Sequence, residues 1–315
     1  MHEPDFFIAA APRSGTTSLF NYLAQHPEIQ MSSQKEPAFF HFTYPRPDFE
    51  ALARIHGEER FAESVSHYEQ TRALAVTDGA SYHDLWTDAA GTRLRGEATP
   101  TYLYDANALE KLRESRPRAK LVLLLRNPTD RAYSQYLQYL RHGFESTYSF
   151  EEALQREPAD VEDFWWGMRR YLRMGLYADH VEGCLNGFGA GRVGVFLYEN
   201  FAAAPEMVVG EIIRFLGIDT PNQIETSLRH KQAFVPVPGL AVRIARSEGR
   251  LKAVARLLLP DPLRNRLHRR IIYRRQLQPP PILIETRKRL NSFFEPGIRR
   301  LELLLDRDLS IWRRG

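Results

Sequence analysis

Residues 6–25 read Phe6-Phe7-Ile8-Ala9-Ala10-Ala11-Pro12-Arg13-Ser14-Gly15-Thr16-Thr17-Ser18-Leu19-Phe20-Asn21-Tyr22-Leu23-Ala24-Gln25. This is a short apolar strand, a turn of small residues and then an amphipathic helix. Gly15 lets the backbone turn tightly. A helix opening at about Thr16 aims unpaired N–H groups and the positive end of its dipole into the turn, so an anion is the natural occupant. A nucleoside-triphosphate P-loop needs Gly-x-x-x-x-Gly-Lys-Ser/Thr. In that frame this chain has Ala10, Gly15, Thr16 and Thr17, with no lysine after the glycine and with its cation earlier, at Arg13. The cradle still suits a phosphate, but it lacks the lysine that reaches the β- and γ-phosphates of ATP.

Outward from this stretch, nearly continuous apolar runs mark buried parallel strands at 6–10, 121–125 and 193–197, with a weaker fourth at 73–76. Helical spacing occupies 16–25, 106–116, 129–141, 150–155, 176–185 and 205–216. The alternation predicts an α/β fold of three layers, a P-loop-like parallel sheet flanked by helices, whose ligands sit beyond the carboxyl ends of the strands. The 315 residues suit a single domain. Its core runs to about residue 235, and a proline-punctuated, Arg-rich helical extension covers 236–315, with helical spacing returning over 282–312. No fixed-period repeat is visible, which removes solenoids and propellers.

Charge is uneven. Residues 1–240 carry a net −8 and residues 241–315 a net +12, within a formal total of +4. Such a block is more often a solvated face than a binding surface. Aromatic interleaving is sparse in it, so no nucleic-acid partner is expected. A peripheral membrane contact through the basic C-terminal region stays open. One cysteine, Cys184, cannot form an intrachain disulfide, and no apolar run reaches the roughly 18 residues of a membrane span. A soluble, cytoplasmic protein is the expectation. The histidines lack paired metal-ligand spacing, and no metal site is expected.

The run 121–125 ends in Arg126-Asn127-Pro128-Thr129-Asp130-Arg131-Ala132-Tyr133-Ser134. Asn127 suits an N-cap, Pro128 the first helical position, and Asp130 the first turn beside the dipole. Arg126 therefore closes a strand at the ligand edge, and Ser134 lies two turns into the helix. Arg131 is free to pair with a carboxylate. Two strand-to-helix anion sites in one sheet suggest a ligand with anionic groups at both ends.

At these residues the chain resembles the sulfotransferases that use 3′-phosphoadenosine 5′-phosphosulfate (PAPS), leaving 3′-phosphoadenosine 5′-phosphate (PAP). Residues 12–17, Pro-Arg-Ser-Gly-Thr-Thr, resemble the family's 5′-phosphosulfate loop, and Arg126 with Ser134 its 3′-phosphate pair. The likeness extends through Lys35-Glu36-Pro37-Ala38-Phe39-Phe40, Gly96-Glu97-Ala98-Thr99-Pro100-Thr101-Tyr102, Tyr198-Glu199 and Leu309-Ser310-Ile311-Trp312. Its motifs are nearer the bacterial and heparan-type branch than the phenol and steroid branch. Two departures are Ala98, where heparan-type members commonly carry lysine, and the absence of their cysteine pair.

The resemblance implies that the N–H groups of Gly15, Thr16 and Thr17, with Ser14 in the same loop and hydroxyls among Thr16, Thr17 and Ser18, hold the 5′-phosphate. Arg13 would act on the bridging oxygen by charge, since arginine keeps its proton. It further implies Glu36 as the base for an acceptor hydroxyl or amine, with Glu97 as second choice or as an orienting residue for Arg13. His41 and His83 are further candidate bases, each better read as structural. Arg229 and Lys231 lie where relatives cover the cofactor. The acceptor, whether glycan, lipid or small molecule, is not readable. The competing readings are a P-loop-type nucleotide kinase and a basic nucleic-acid or membrane-surface module.

Overall fold

The computed structural model describes residues 3–42, 65, 68–86, 92–142, 144–145, 147–157, 170–219, 224–226, 235–236, 276–277 and 281–313. Arg229, Lys231 and the Arg-rich stretch 242–275 lie outside the described residues.

Strands β1 (Phe6–Ala10), β2 (Ile29–Met31), β3 (Leu94–Ala98), β4 (Lys120–Leu125) and β5 (Val193–Leu197) form one parallel sheet in the order β2-β3-β1-β4-β5. Ile8 lies opposite Ala98 on one side and Val122 on the other, so β1 is central. Alternation of side chains across the pleat divides the core in two. Phe6, Ile8, Ala10, Val122 and Leu124 face one layer; Phe7, Ala9, Leu121, Leu123 and Leu125 face the other, all of them buried. With a fully buried large apolar side chain contributing roughly 1.5–3 kcal/mol, this doubly covered centre is the main anchor of the fold.

Helix α1 (Thr16–Leu23) follows β1, and α2 (Gly79–His83) and α3 (Ala106–Ser115) flank β3 in sequence. Next come α4 (Pro128–His142), α5 (Phe150–Gln155), α6 (Ala178–Phe188), α7 (Tyr198–Ala203), α8 (Pro205–Leu216) and α9 (Ile284–Leu305). The first layer is built by Leu19 and Leu23 of α1, Phe201 of α7, and Val209, Ile212 and Ile213 of α8. The second holds Leu112 of α3, Val181 and Cys184 of α6, and Leu290, Phe294, Ile298 and Leu301 of α9. Helix α9 is thus docked on the core by one apolar face, and Arg300 pins it by pairing with Asp179 and Glu182 of α6.

The expected strand at 73–76 is not one. Residues 71–74 are helical, and the Val76 N–H donates to the Pro37 carbonyl at 2.8 Å in a loop contact. A four-residue apolar run reads alike as a strand or as the end of a helix. The strands that complete the sheet, β2 and β3, carry weak signals. The first has three residues, and the second reads Leu-Arg-Gly-Glu-Ala. Gly96 is required there, because a Cβ would stand 2.2 Å from Phe6 Cζ and 2.7 Å from Met31 Sδ.

Candidate active site

The turn between β1 and α1 is held open by backbone conformations that side chains resist. Arg13 has φ 72° and Gly15, the N-cap of α1, has φ 84°. A Cβ on Gly15 would also come within 3.1 Å of Tyr198 Cε2 and 3.2 Å of Phe201 Cε1. The chain here therefore needs glycine for conformation and for space. The N–H groups of Gly15, Thr16, Thr17 and Ser18 meet no acceptor among the described residues, as the first turn of a helix dictates. Ser14 is fully buried, and its Oγ has no hydrogen-bond partner among the described residues.

The turn after β4 is rigid. Asn127 Oδ1 caps α4 by accepting from the N–H groups of Thr129 at 2.9 Å and Asp130 at 3.1 Å. The Asn127 N–H donates to Glu199 Oε1 at 2.7 Å, and Tyr177 Oη donates to the Arg126 carbonyl at 2.9 Å. The Arg126 guanidinium lies 4.5 Å from the centre of the Tyr198 ring, and its Nε is buried without a partner among the described residues. Arg131 pairs with no carboxylate among the described residues. It is fully buried and donates to Gln135 Oε1 at 2.5 Å and to the Tyr171 carbonyl, because α4 turns it into the core.

The two turns touch. Arg126 Nη1 donates to the Arg13 carbonyl at 2.8 Å, and Arg13 Nε donates to Ser134 Oγ at 3.2 Å. The Tyr198 ring lies against both Gly15 and Arg126. Since β1 and β4 are neighbours, their carboxyl ends deliver Arg13 and Arg126 to one edge of the sheet. The Arg13 guanidinium is held below its ordinary pKa, first by burial and then by the charges of Arg141 and Arg126. No ion pair to a carboxylate relieves this crowding of positive charge at any of the three among the described residues.

On the other flank of β1, at the end of β3, lies the segment with Glu36. Its N–H donates to the Ala98 carbonyl at 3.0 Å, the Ala38 N–H to Thr99 Oγ1 at 3.3 Å, and the Phe40 N–H to Tyr102 Oη at 3.2 Å. Glu36 and Ala38 have φ of 59° and 54°. Together with Arg13, these make three of the four non-glycine residues with positive φ among the described residues lie at this sheet edge, where backbone strain concentrates when a site requires it. The Glu36 carboxylate is half exposed and paired with Lys35. Glu97 is the buried one. It is fully enclosed, accepts from Tyr82 Oη and from Thr99 Oγ1 at 2.6 Å, and burial raises its pKa to about 7. Among the described residues, no hydrogen bond or ion pair joins Glu97 to Arg13. His41 is buried between Asp105 Oδ2 at 2.7 Å and Thr101 Oγ1 at 2.8 Å, and desolvation lowers its pKa, which fits a structural post.

Sequence reasoning missed two members of this edge. Arg141 stands on the same α4 face as Ser134, a spacing of seven that was available in the sequence. Glu199 was visible only as part of a likeness; its bond to Asn127 depends on strand order. Among the described residues, no group of three or more His, Cys, Asp and Glu could hold a metal ion, and no helix is long and apolar enough to cross a membrane.

The family model for the sulfotransferase domain matches residues 3–234. The chain is 32% identical over 173 residues to the membrane-associated sulfotransferase kil1 of Dictyostelium discoideum, covering 53% of this chain and 31% of that one. It is 25% identical over 263 residues to human carbohydrate sulfotransferase 15, covering 72% of this chain and 46% of the relative. It thus spans about a third to a half of the length of these relatives. Among solved structures, a sulfotransferase from Alicyclobacillus acidocaldarius superposes with a TM-score of 0.69 at 28% identity, covering 100% of both chains. With most of its length inside one family model, this chain belongs to the sulfotransferase domain family.

Proposed function

We propose that this single-domain protein transfers the sulfuryl group of PAPS to a hydroxyl or amine on a glycan, lipid or small-molecule acceptor. The observation that carries the reading is the contact between the turns, Arg126 Nη1 to the Arg13 carbonyl at 2.8 Å and Arg13 Nε to Ser134 Oγ at 3.2 Å. It makes one continuous cationic edge for a ligand charged at both ends. The residues fit such a group: free N–H groups at the start of α1, an unpartnered buried Ser14 Oγ, and an unpartnered buried Arg126 Nε. Relatives named for carbohydrate sulfation support a glycan among the three acceptor classes.

When bound, PAPS supplies the sulfuryl group and a 5′-phosphate leaving group. The N–H groups of Gly15, Thr16 and Thr17, with the hydroxyls of Thr16, Thr17 or Ser18, hold the 5′-phosphate. Arg126 and Ser134 hold the 3′-phosphate. Arg13 lies between the ends and sets a permanent positive charge where negative charge builds on the bridging oxygen. Glu36, on the β3 side, would accept the proton of the acceptor hydroxyl or amine. Pairing with Lys35 orients it. Glu97 is given a positioning part beneath that loop, through Thr99. Arg229 and Lys231 are assigned to the cover over the donor. Because the arginines provide the charge that magnesium provides in phosphoryl transfer, the reaction is proposed to be metal-independent, in a cytoplasmic setting that suits a lone cysteine.

PAP tests the reading. At 100 times its dissociation constant, without magnesium, it should stabilise the fold by about 2.7 kcal/mol, read as a rise in melting temperature. Absence of any rise would overturn PAPS as donor. Glu36→Gln should keep PAP affinity while lowering turnover on the order of 10²–10⁴-fold, and full turnover would remove Glu36 as base.

A further inference from the structure

The turn that presents Arg126 is tied from outside its own helix at each residue from 126 to 130. Tyr177 Oη donates to the Arg126 carbonyl at 2.9 Å, and the Asn127 N–H and Nδ2 donate to Glu199 Oε1 at 2.7 Å and the Trp312 carbonyl at 2.8 Å. Pro128 and Phe294 close on Gly175, where a Cβ would stand 2.9 Å from Pro128 Cβ and 2.6 Å from Phe294 Cε1. Thr129 Oγ1 donates to Asn291 Oδ1 at 2.8 Å, and Arg287 Nη2 donates to Asp130 Oδ1 at 2.8 Å. Arg287, Asn291 and Phe294 stand at i, i+4 and i+7 on α9, so a single face of that helix grips the start of α4.

Helix α9 lies outside residues 3–234, the stretch that the family model matches. Its apolar face packs in the second core layer, whereas α1 packs in the first, so the sheet separates α9 from the helix of the 5′-phosphate turn. The grip therefore falls on one half of the donor site. Arg287 also neutralises Asp130, the acidic residue nearest to Arg126 in the chain, so that its charge does not oppose an anion held at that turn. An arginine fork binds an oxyanion well when its position is set before the ligand arrives. Resting on the sulfuryl-transfer reading, we infer that Arg287 and Asn291 are positioning residues for the 3′-phosphate, acting through Asp130 and Thr129 on the turn that carries Arg126. Helix α9 then governs how strongly the site prefers a nucleotide with a 3′-phosphate over one without it.

The test uses the full chain, with PAP and with adenosine 5′-phosphate, which lacks the 3′-phosphate, as probes. Wild type, Arg287→Gln, Arg287→Lys and the double variant Arg287→Gln/Asn291→Ala are titrated by calorimetry at a temperature where urea unfolding shows each of them folded. The PAP dissociation constant should rise roughly tenfold or more in the double variant and about threefold to fivefold in Arg287→Gln, and stay within about twofold in Arg287→Lys. Adenosine 5′-phosphate should change by less than about twofold throughout. A contact that served stability alone would lower the unfolding midpoint and leave this ratio where it was. If the double variant does not fold, Arg287→Gln decides, because its ion pair is partly exposed. An unchanged PAP constant, or equal losses for the two nucleotides, would overturn the inference and leave the donor reading intact. Wild type that binds PAP no more tightly than adenosine 5′-phosphate would remove the donor reading, and this inference with it.

Discussion

Glu199 and Trp312, 113 residues apart, meet where the indole N–H donates to Glu199 Oε2 at 2.8 Å. The other oxygen of the same carboxylate accepts the Asn127 N–H at 2.7 Å, and Asn127 Nδ2 donates to the Trp312 carbonyl at 2.8 Å. The last turn of the described chain is therefore bolted to the turn that presents Arg126. Trp312→Phe removes the donor from a half-buried carboxylate contact, with an expected loss of about 1.5–3 kcal/mol in urea unfolding. Loosening of the Arg126 turn should also weaken PAP binding about five- to tenfold by calorimetry. Unchanged PAP affinity would show that the turn holds its shape without the C-terminal bolt.

Arg126 and Arg13 should separate by experiment. Loss of a charge-assisted contact costs about 1.5–3 kcal/mol, so Arg126→Ala should raise the PAP dissociation constant roughly 10- to 100-fold. Arg126→Lys should recover little, because the stack on Tyr198 and the bond to the Arg13 carbonyl need a planar fork. Arg13→Ala should depress single-turnover transfer by a larger factor than it weakens PAP. Equal effects on both would mean that Arg13 only binds.

Gly15→Ala is expected to disable the cradle. Its φ of 84° is strained for any other residue, and the added methyl would press on Tyr198 and Phe201. Backbone strain of this kind costs roughly 1–3 kcal/mol, and the melting temperature should fall accordingly, together with PAP binding. Normal binding in the variant would show that the turn relaxes without consequence.

Glu97 gives stability a pH signature. Its folded pKa of about 7 lies above the ordinary carboxyl value. Between about pH 4.5 and 7 the unfolded chain has released a proton that the folded chain keeps, so stability falls as pH rises through that window and levels off above it. At about 1.4 kcal/mol per pKa unit the full loss is on the order of 3 kcal/mol. Burial of His41 acts with the opposite sign, since a lowered histidine pKa costs stability as pH falls below about 6.5. Comparing wild type with Glu97→Gln by urea unfolding at pH 5, 6, 7 and 8 cancels the histidine. The difference should grow in favour of the variant with rising pH, and a constant difference would mean that Glu97 is not protonated in the fold.

The sequence by itself determined the central strands, most of the helices and both arginine-bearing turns. These depend on local physics: continuous apolar runs, an N-cap asparagine, proline at the first helical position and a glycine turn. Residues 6–10 and 193–197 fall where they were read, because a strand buried on both faces leaves no ambiguity of pattern. Only the tertiary structure decided that β3 lies between β2 and β1, that Glu97 is the desolvated carboxyl while Glu36 faces solvent beside Lys35, and that Trp312 braces Arg126 through Glu199. Burial and contact between distant segments follow from strand order and helix docking, and a parallel sheet brings together residues whose separation along the chain carries no local signal.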